Sequence, residues 1–239
     1  MSDDQELPAE KVARRTIRSF VIRGGRSTTA QQRALDELWP KYGIEFSDTP
    51  IDLDAHFGRH AARMIEIGFG AGEALLAFAQ LHPEMDCLGI EVHPPGVGRL
   101  LHNAELAALK NVRVSMHDAV EVLGRQLPAA SIDLVHIFFP DPWPKKRHHK
   151  RRLIQTSFAD LLARVLRGDG TVRLATDWEP YALHMREVLD AHPAFTNVAG
   201  TNGFVARNEE RTLTRFEQRG HRLGHGVWDL EYRRHQRRE

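Results

Sequence analysis

Cysteine is almost missing from this chain of 239 residues. Cys87 stands alone, so no disulfide can form within the chain and a reducing compartment is expected. No apolar run approaches the ~20 residues that span a bilayer. The first residues, Met1 to Glu6, are acidic and polar, unlike a secretory leader. A cytoplasmic protein without a membrane partner is expected. The chain has 14 histidines but no Cys-x-x-Cys and no His-Glu-x-x-His, so no metal site is expected. Internal repeats and low-complexity segments are also missing. A chain of this length buries roughly 70–75% of its unfolded surface and needs no covalent staple.

Acidic side chains are missing from one region. None falls between Glu10 and Asp36, where Lys11, Arg14, Arg15, Arg18, Arg23, Arg26 and Arg33 occur. Two more basic clusters are Lys145 to Arg152 and Arg233 to Arg238. The net charge is only +1, so the centre of the chain carries the compensating acids. Charge segregated in this way points to a polyanion partner.

Residues 1–30, basic and punctuated by Gly24 and Gly25, are predicted to be a flexible arm. Residues 31–239 are predicted to form one domain. Thr29 to Trp39 has helical spacing, with Thr29 as cap and Ala34, Leu35 and Leu38 as the apolar stripe. Residues 40–60 read as irregular. Strands are then predicted at 62–67, 86–92, 112–116, 132–139 and 171–176. Helices are predicted at 73–81, 98–109, 119–123, 151–166 and 179–189. Such alternation implies parallel βαβ units. Two further strands, 195–199 and 227–232, have little helix between them and suit an antiparallel edge pair. The expected fold class is therefore α/β, with a mostly parallel, seven-stranded Rossmann-like sheet, an antiparallel strand and helices on both faces.

The first strand runs into Glu66-Ile67-Gly68-Phe69-Gly70-Ala71-Gly72. Glycines let backbone approach a ligand and open a helix N-terminus toward it. Glu91 ends the second strand, at the distance expected of a ribose-binding acid. Asp118 ends the third and suits either an adenine amino group or a helix cap. A nicotinamide dinucleotide fits much of this pattern. The spacing is Gly-x-Gly-x-Gly, however, and Glu66 stands where a pyrophosphate would be repelled but a cationic aminoacyl or sulfonium group attracted. S-adenosylmethionine is the better fit.

The strand from Ile132 ends in Phe138-Phe139-Pro140-Asp141-Pro142-Trp143-Pro144, followed by eight consecutive basic or imidazole side chains, Lys145 to Arg152. Proline fixes φ and removes donors, so this loop is pre-shaped. One rigid carboxylate and an indole beside a cationic run suit a held base and a gripped phosphate backbone. Trp143 could stack on a base or pack beneath the loop.

These segments resemble the bacterial tRNA (guanine-N7)-methyltransferases, a class I methyltransferase family that modifies the tRNA variable loop. The matching stretches are Glu66 to Gly72, Gly89 to His93, Phe138 to Lys146, Ala175 to Trp178 and Thr214 to Asp229. The likeness covers about residues 55–235, and Phe-Phe-Pro-Asp-Pro-Trp-Pro-Lys and Thr-x-Phe-Glu-x-Arg-Gly are its most specific parts. The resemblance implies that Glu66, Glu91, Asp118 and Asp141, with Gly68, Gly70 and Gly72, meet S-adenosylmethionine. It implies that Lys145, Asp177, Thr214, Arg215, Phe216 and Glu217 meet the substrate. It implies that Arg147, His148, His149, Lys150, Arg151 and Arg152 meet tRNA. No obligatory protein partner is expected, and the chain is taken as a monomer or weak homodimer.

Guanine N7 offers a lone pair and carries no proton to remove, so attack on a sulfonium methyl needs no general base. Asp141 is the candidate catalytic residue, through charge stabilisation or through bonds to the purine N–H edge. Asp177 could read the base or cap the following helix. Rival readings remain at this point: a nicotinamide oxidoreductase, a non-enzymatic RNA-binding module, and a methyltransferase for proteins or small molecules.

Overall fold

The computed structural model describes residues 18–20, 27–209, 211 and 226–235. Seven strands occur among them: β1 (Arg63–Ile67), β2 (Asp86–Ile90), β3 (Val112–Ser115), β4 (Ile132–Phe138), β5 (Leu166–Thr176), β6 (Phe195–Asn197) and β7 (Trp228–Arg234). They form one sheet in the order β3-β2-β1-β4-β5-β7-β6. The first five are mutually parallel, while β7 runs antiparallel to both β5 and β6. The α/β expectation and the antiparallel β6–β7 pair are both present. The helices are α1 (Thr29–Tyr42), α2 (Leu53–Phe57), α3 (Glu73–Leu81), α4 (Pro94–Leu106), α5 (Ala119–Glu121), α6 (Thr156–Val165) and α7 (Glu179–Asp190). None is long and apolar enough to cross a membrane.

Alternation along β1 sends its side chains to opposite faces. Ile65 and Ile67 enter one apolar layer, with Phe158, Leu162 and Met185 of α6 and α7. Met64 enters the other, with Leu75 and Phe78 of α3 and Leu100 and Leu101 of α4. Glu66 shares the Met64 face by the same period of two, so it points toward the α3–α4 layer. The order of strands runs outward from β1 to β2 and β3 on one side and from β4 to β5 on the other, so it reverses between β1 and β4. The reversal leaves a crevice outside the carboxyl ends of β1 and β4, where open α/β sheets bind ligands.

Several boundaries differ from expectation, each for a local reason. Thr28, not Thr29, caps α1: its side chain accepts from Gln31 N–H while the Gln31 side chain accepts from Thr28 N–H, a reciprocal capping box. α1 also continues through Pro40 to Tyr42. The 40–60 region contains α2, capped by Asp52 accepting from Ala55 N–H at 3.1 Å. α4 starts at Pro94 rather than Gly98, because prolines at the first helical positions support a helix start. The predicted helix from Arg151 starts only at Thr156, since Lys146–Arg151 form a 3₁₀ turn. α5 passes into a π-helical turn at Val122–Gln126. β5 begins at Leu166, before the expected Thr171, and crosses a register shift that contains Asp169 at φ 67°.

Candidate active site

The glycine loop after β1 is built on backbone conformations that side chains resist. Gly68 and Gly70 have φ of 71° and 57°, and a Cβ on either would meet nothing within 4 Å. Left-handed geometry, not lack of room, requires glycine there. Gly96 in the first turn of α4 is the opposite case, since its Cβ would fall 2.2 Å from the Gly70 carbonyl oxygen. α4 therefore packs directly on the loop.

Glu91 fastens this arrangement. Its Oε2 accepts from Gly70 N–H at 2.9 Å, and its Oε1 accepts from Val92 and His93 N–H at 2.7 and 3.0 Å. A carboxylate offers about four acceptor sites, so capacity for a ligand hydroxyl remains. Asp118 caps α5, with Oδ1 accepting from Val120 N–H at 3.0 Å, and still faces the crevice. Gly68, Gly70, Glu91, Asp118 and Asp141 line one cavity of about 260 Å³. Phe139, Pro140, His117 and Leu153 are also part of its wall, as are Ser19 and Phe20 of the arm. His117 stacks on Phe46 with ring centres 3.8 Å apart and bonds Glu121 at 2.6 Å.

Glu66 and Gly72 do not line this cavity. Glu66 is 3% exposed, and its Oε2 has no hydrogen-bond partner among the described residues. Burial, and then the negative charge of Glu91, push its carboxyl up to about 8. Its neighbours in register are Gly89 of β2 and His136 of β4. His136 cannot supply a cation: burial, followed by Arg173 and Arg211, pulls its imidazole down to about 3. A buried acceptor left unmatched beside a glycine cradle fits a ligand carrying a cationic or N–H group.

The Asp141 loop is rigid for more reasons than its prolines. Phe139 and Trp143 adopt φ of 52° and 46°, a region that large side chains rarely enter. Phe139 N–H bonds the Ala175 carbonyl of β5 at 2.8 Å. The Trp143 indole N–H donates to the Ser19 carbonyl at 3.1 Å. Arg151 lies 4.8 Å from the Trp143 ring centre, and His148 meets that ring edge-on at 5.8 Å. Trp143 thus ties arm to loop in this conformation.

The basic run divides into two kinds of side chain. Lys145, Lys146, Arg147 and Lys150 are exposed, and His148, His149 and Arg151 are half-buried. Desolvation, then the surrounding Arg147, Arg151 and lysines, lower the His148 pKa. Arg152 departs from the expected RNA-facing role. It is 4% exposed, donates to the Pro142 carbonyl at 3.0 Å and lies 4.9 Å from the Tyr181 ring centre, which clamps the loop to α7. Asp177 is half-buried just beyond β5. The cap position of α7 falls on Trp178 instead, whose N–H bonds Thr176 Oγ1 at 3.3 Å. Lys145 and Asp177 do not line the cavity. Thr214, Arg215, Phe216 and Glu217 lie outside the described residues. Among the described residues of the third basic cluster, Arg233 pairs with Thr171, away from the carboxyl end of β5, and Arg234 is buried. Sequence reasoning missed Ser19 and Phe20, which belong to no recognisable motif, and did not single out Thr176 within the Ala175 to Trp178 stretch.

A parallel sheet whose strand order runs outward both ways from β1 and β4, a glycine cradle at that point and acids at the carboxyl ends of β1, β2 and β3 define a class I methyltransferase type of protein. Solved structures agree on the fold. The 16S rRNA methyltransferase KamB gives a TM-score of 0.54 at 16% identity, covering 76% of this chain and 94% of that one. The aminoglycoside resistance methyltransferase NpmB1 gives 0.51 at 16%, covering 79% and 95%. A family model described as "Putative methyltransferase" matches residues 60–230. The tRNA (guanine-N(7)-)-methyltransferase of Leifsonia xyli is 57% identical over 90% of this chain and 95% of its own length. That of Pseudomonas aeruginosa strain UCBPP-PA14 is 52% identical over 98% and 99%. The chain belongs to the tRNA (guanine-N7)-methyltransferase family.

Proposed function

We propose that this protein transfers a methyl group from S-adenosylmethionine to N7 of a guanosine in the variable loop of tRNA. The observation that carries the reading is the placement of Asp141. It is exposed at the edge of the glycine-cradle cavity, on the same rigid loop that continues into Lys145 to Lys150. One short segment therefore joins a cofactor-sized crevice to a surface suited to phosphates.

The residues present fit the cofactor. Glu66 supplies the buried unmatched acceptor for a cationic aminoacyl end, Gly68 and Gly70 the cradle, Glu91 the hydroxyl-binding acid and Asp118 the acceptor for an adenine amino group. Bound S-adenosylmethionine would supply an activated methyl on a positively charged sulfur. Asp141 then orients the guanine and favours the positive charge that develops on the purine. Because N7 has a free lone pair, no proton must be taken from it. Alignment is the main task, and positioning of that kind contributes roughly 7–11 kcal/mol to such reactions. Lys145, Asp177 and Thr214 to Glu217 act on the substrate in this scheme, and the exposed cations of the loop follow the tRNA backbone. The target base lies in a folded RNA, so it must be displaced locally. We place the reaction in the cytoplasm, carried out by a monomer or weak homodimer without an obligatory protein partner.

The test is incubation with labelled S-adenosylmethionine and unmodified tRNA, followed by mild reduction and aniline cleavage. A single break at a variable-loop guanosine is expected. Transfer without chain cleavage would move the acceptor atom away from N7. Tight tRNA binding without transfer would favour the non-enzymatic RNA-binding reading.

A further inference from the structure

Two charged side chains that the scheme above leaves unused are buried beside it. Arg211 and Asp229 are 4% and 7% exposed, and Arg211 Nη2 donates to Asp229 Oδ2 at 3.2 Å. The guanidinium also lies 5.6 Å from the ring centre of Phe138 and 5.4 Å from that of Phe139. Phe138 is the last residue of β4, and Phe139 makes the left-handed turn that leads to Asp141 two residues later. Asp229 pairs in register with Ala175 of β5, the residue whose carbonyl receives Phe139 N–H. Asp177 follows Ala175 by two residues. The Asp229 carbonyl accepts from Val205 N–H at 3.0 Å, and Arg211 N–H bonds the Asn208 carbonyl at 3.1 Å. One ion pair therefore touches the segment between β6 and β7, the end of β4 and, through β7, the end of β5.

A buried ion pair contributes little net stability compared with an apolar pair of similar volume. Its distinctive property here is shape. A guanidinium is flat, lies against aromatic faces and holds a carboxylate at the same time, whereas an ammonium offers only a point charge. We propose that Arg211 and Asp229 are a positioning pair for methyl transfer. Arg211, held by Asp229, lies against Phe138 and Phe139 and so holds the strained turn that places Asp141 at the cavity. This inference rests on the role given to Asp141 above.

Two variants test it. Arg211→Lys keeps the charge and its partner but loses the flat face. Arg211→Met combined with Asp229→Leu removes both charges, so neither is left buried alone. For each, kcat, KM for tRNA, S-adenosylmethionine affinity and melting temperature are compared with wild type. Misplacement of a reacting group by about 1 Å can cost about 100-fold, so kcat is expected to fall at least about tenfold in both variants. KM for tRNA and cofactor affinity should stay within about twofold. Wild-type kcat in either folded variant overturns the inference, as does a matching loss of cofactor binding, which would make the pair a general structural support. If the double variant does not fold, Arg211→Lys decides alone. If Arg211→Lys also fails to fold, the pair is a stability element and the positioning role is lost. Absence of transfer by the wild-type protein would instead sink the proposed function, so the two failures are distinguishable.

Discussion

Glu66 is where stability and ligand recognition oppose each other. A carboxyl whose folded-state pKa is raised holds its proton more tightly folded than unfolded. It therefore costs nothing while both states are protonated. The cost grows as pH rises from about 4.5 to about 8 and then levels off. By linkage the full cost is on the order of a few kcal/mol. Glu66→Gln cannot ionise, so its thermal melting point is expected to exceed wild type by a margin that widens across that window. A margin independent of pH would show that Glu66 is not the titrating group. The same variant should bind S-adenosylmethionine more weakly, since it cannot ionise to match a cationic group on the ligand. Asp141 carries the complementary expectation. Its side chain is exposed, so Asp141→Ala should leave the melting point nearly unchanged. Single-turnover methyl transfer should drop by about 100-fold, the scale seen when one preorganised charge-stabilising group is lost. Unchanged single-turnover rates would remove Asp141 from the mechanism. Both acids stand out in the sequence because their neighbours are unusual: glycines for one, prolines for the other. The unmatched state of Glu66 is invisible there, because it depends on burial in the folded chain.

At the scale of elements, the loop from Phe139 to Arg152 does two jobs with one kind of residue. Its cations read as a single block in the sequence, yet only some face outward. Replacing exposed Lys145, Arg147 and Lys150 by alanine should weaken tRNA binding at low salt with little change in melting temperature. If each contacts one phosphate, the log–log salt slope should flatten by about 2 to 3 units. An unaltered slope would mean that these side chains face solvent in the complex. Arg152 belongs to the fold instead, since its guanidinium joins Pro142 to the Tyr181 ring. Charge counting could not separate the two groups, because the 3₁₀ turn at Lys146–Arg151 decides which way each side chain points. The late start of α6 has the same origin. By contrast, α3 was legible to the residue, since Gly72 precedes it and apolar side chains follow at helical spacing.

At the scale of the whole molecule, the alternation of strands and helices was enough to anticipate a parallel sheet, and the acids after its strands located the binding edge. The insertion of β7 between β5 and β6 was not legible, because it is fixed by long-range pairing rather than by any local pattern. That insertion has a consequence for charge. Three basic clusters pointed to a polyanion partner, and β7, running antiparallel to β5, carries Arg233 of the third back toward the opposite end of the sheet. Arg233 lies across from Thr171, whereas Trp228 lies across from Thr176 at the site end. Arg233 is five residue steps along β7 from Trp228, about 17 Å at the usual rise per residue. That exceeds the screening length of about 8 Å at physiological ionic strength, so exposed Arg233 should contribute little to binding a phosphate held near Asp141. Arg233→Ala is therefore expected to leave both tRNA affinity and its salt slope as in the wild type, measured beside the Lys145, Arg147 and Lys150 variant. A clear flattening in the Arg233 variant would mean that the RNA wraps around the β6–β7 edge, and the footprint would then extend over both ends of the sheet.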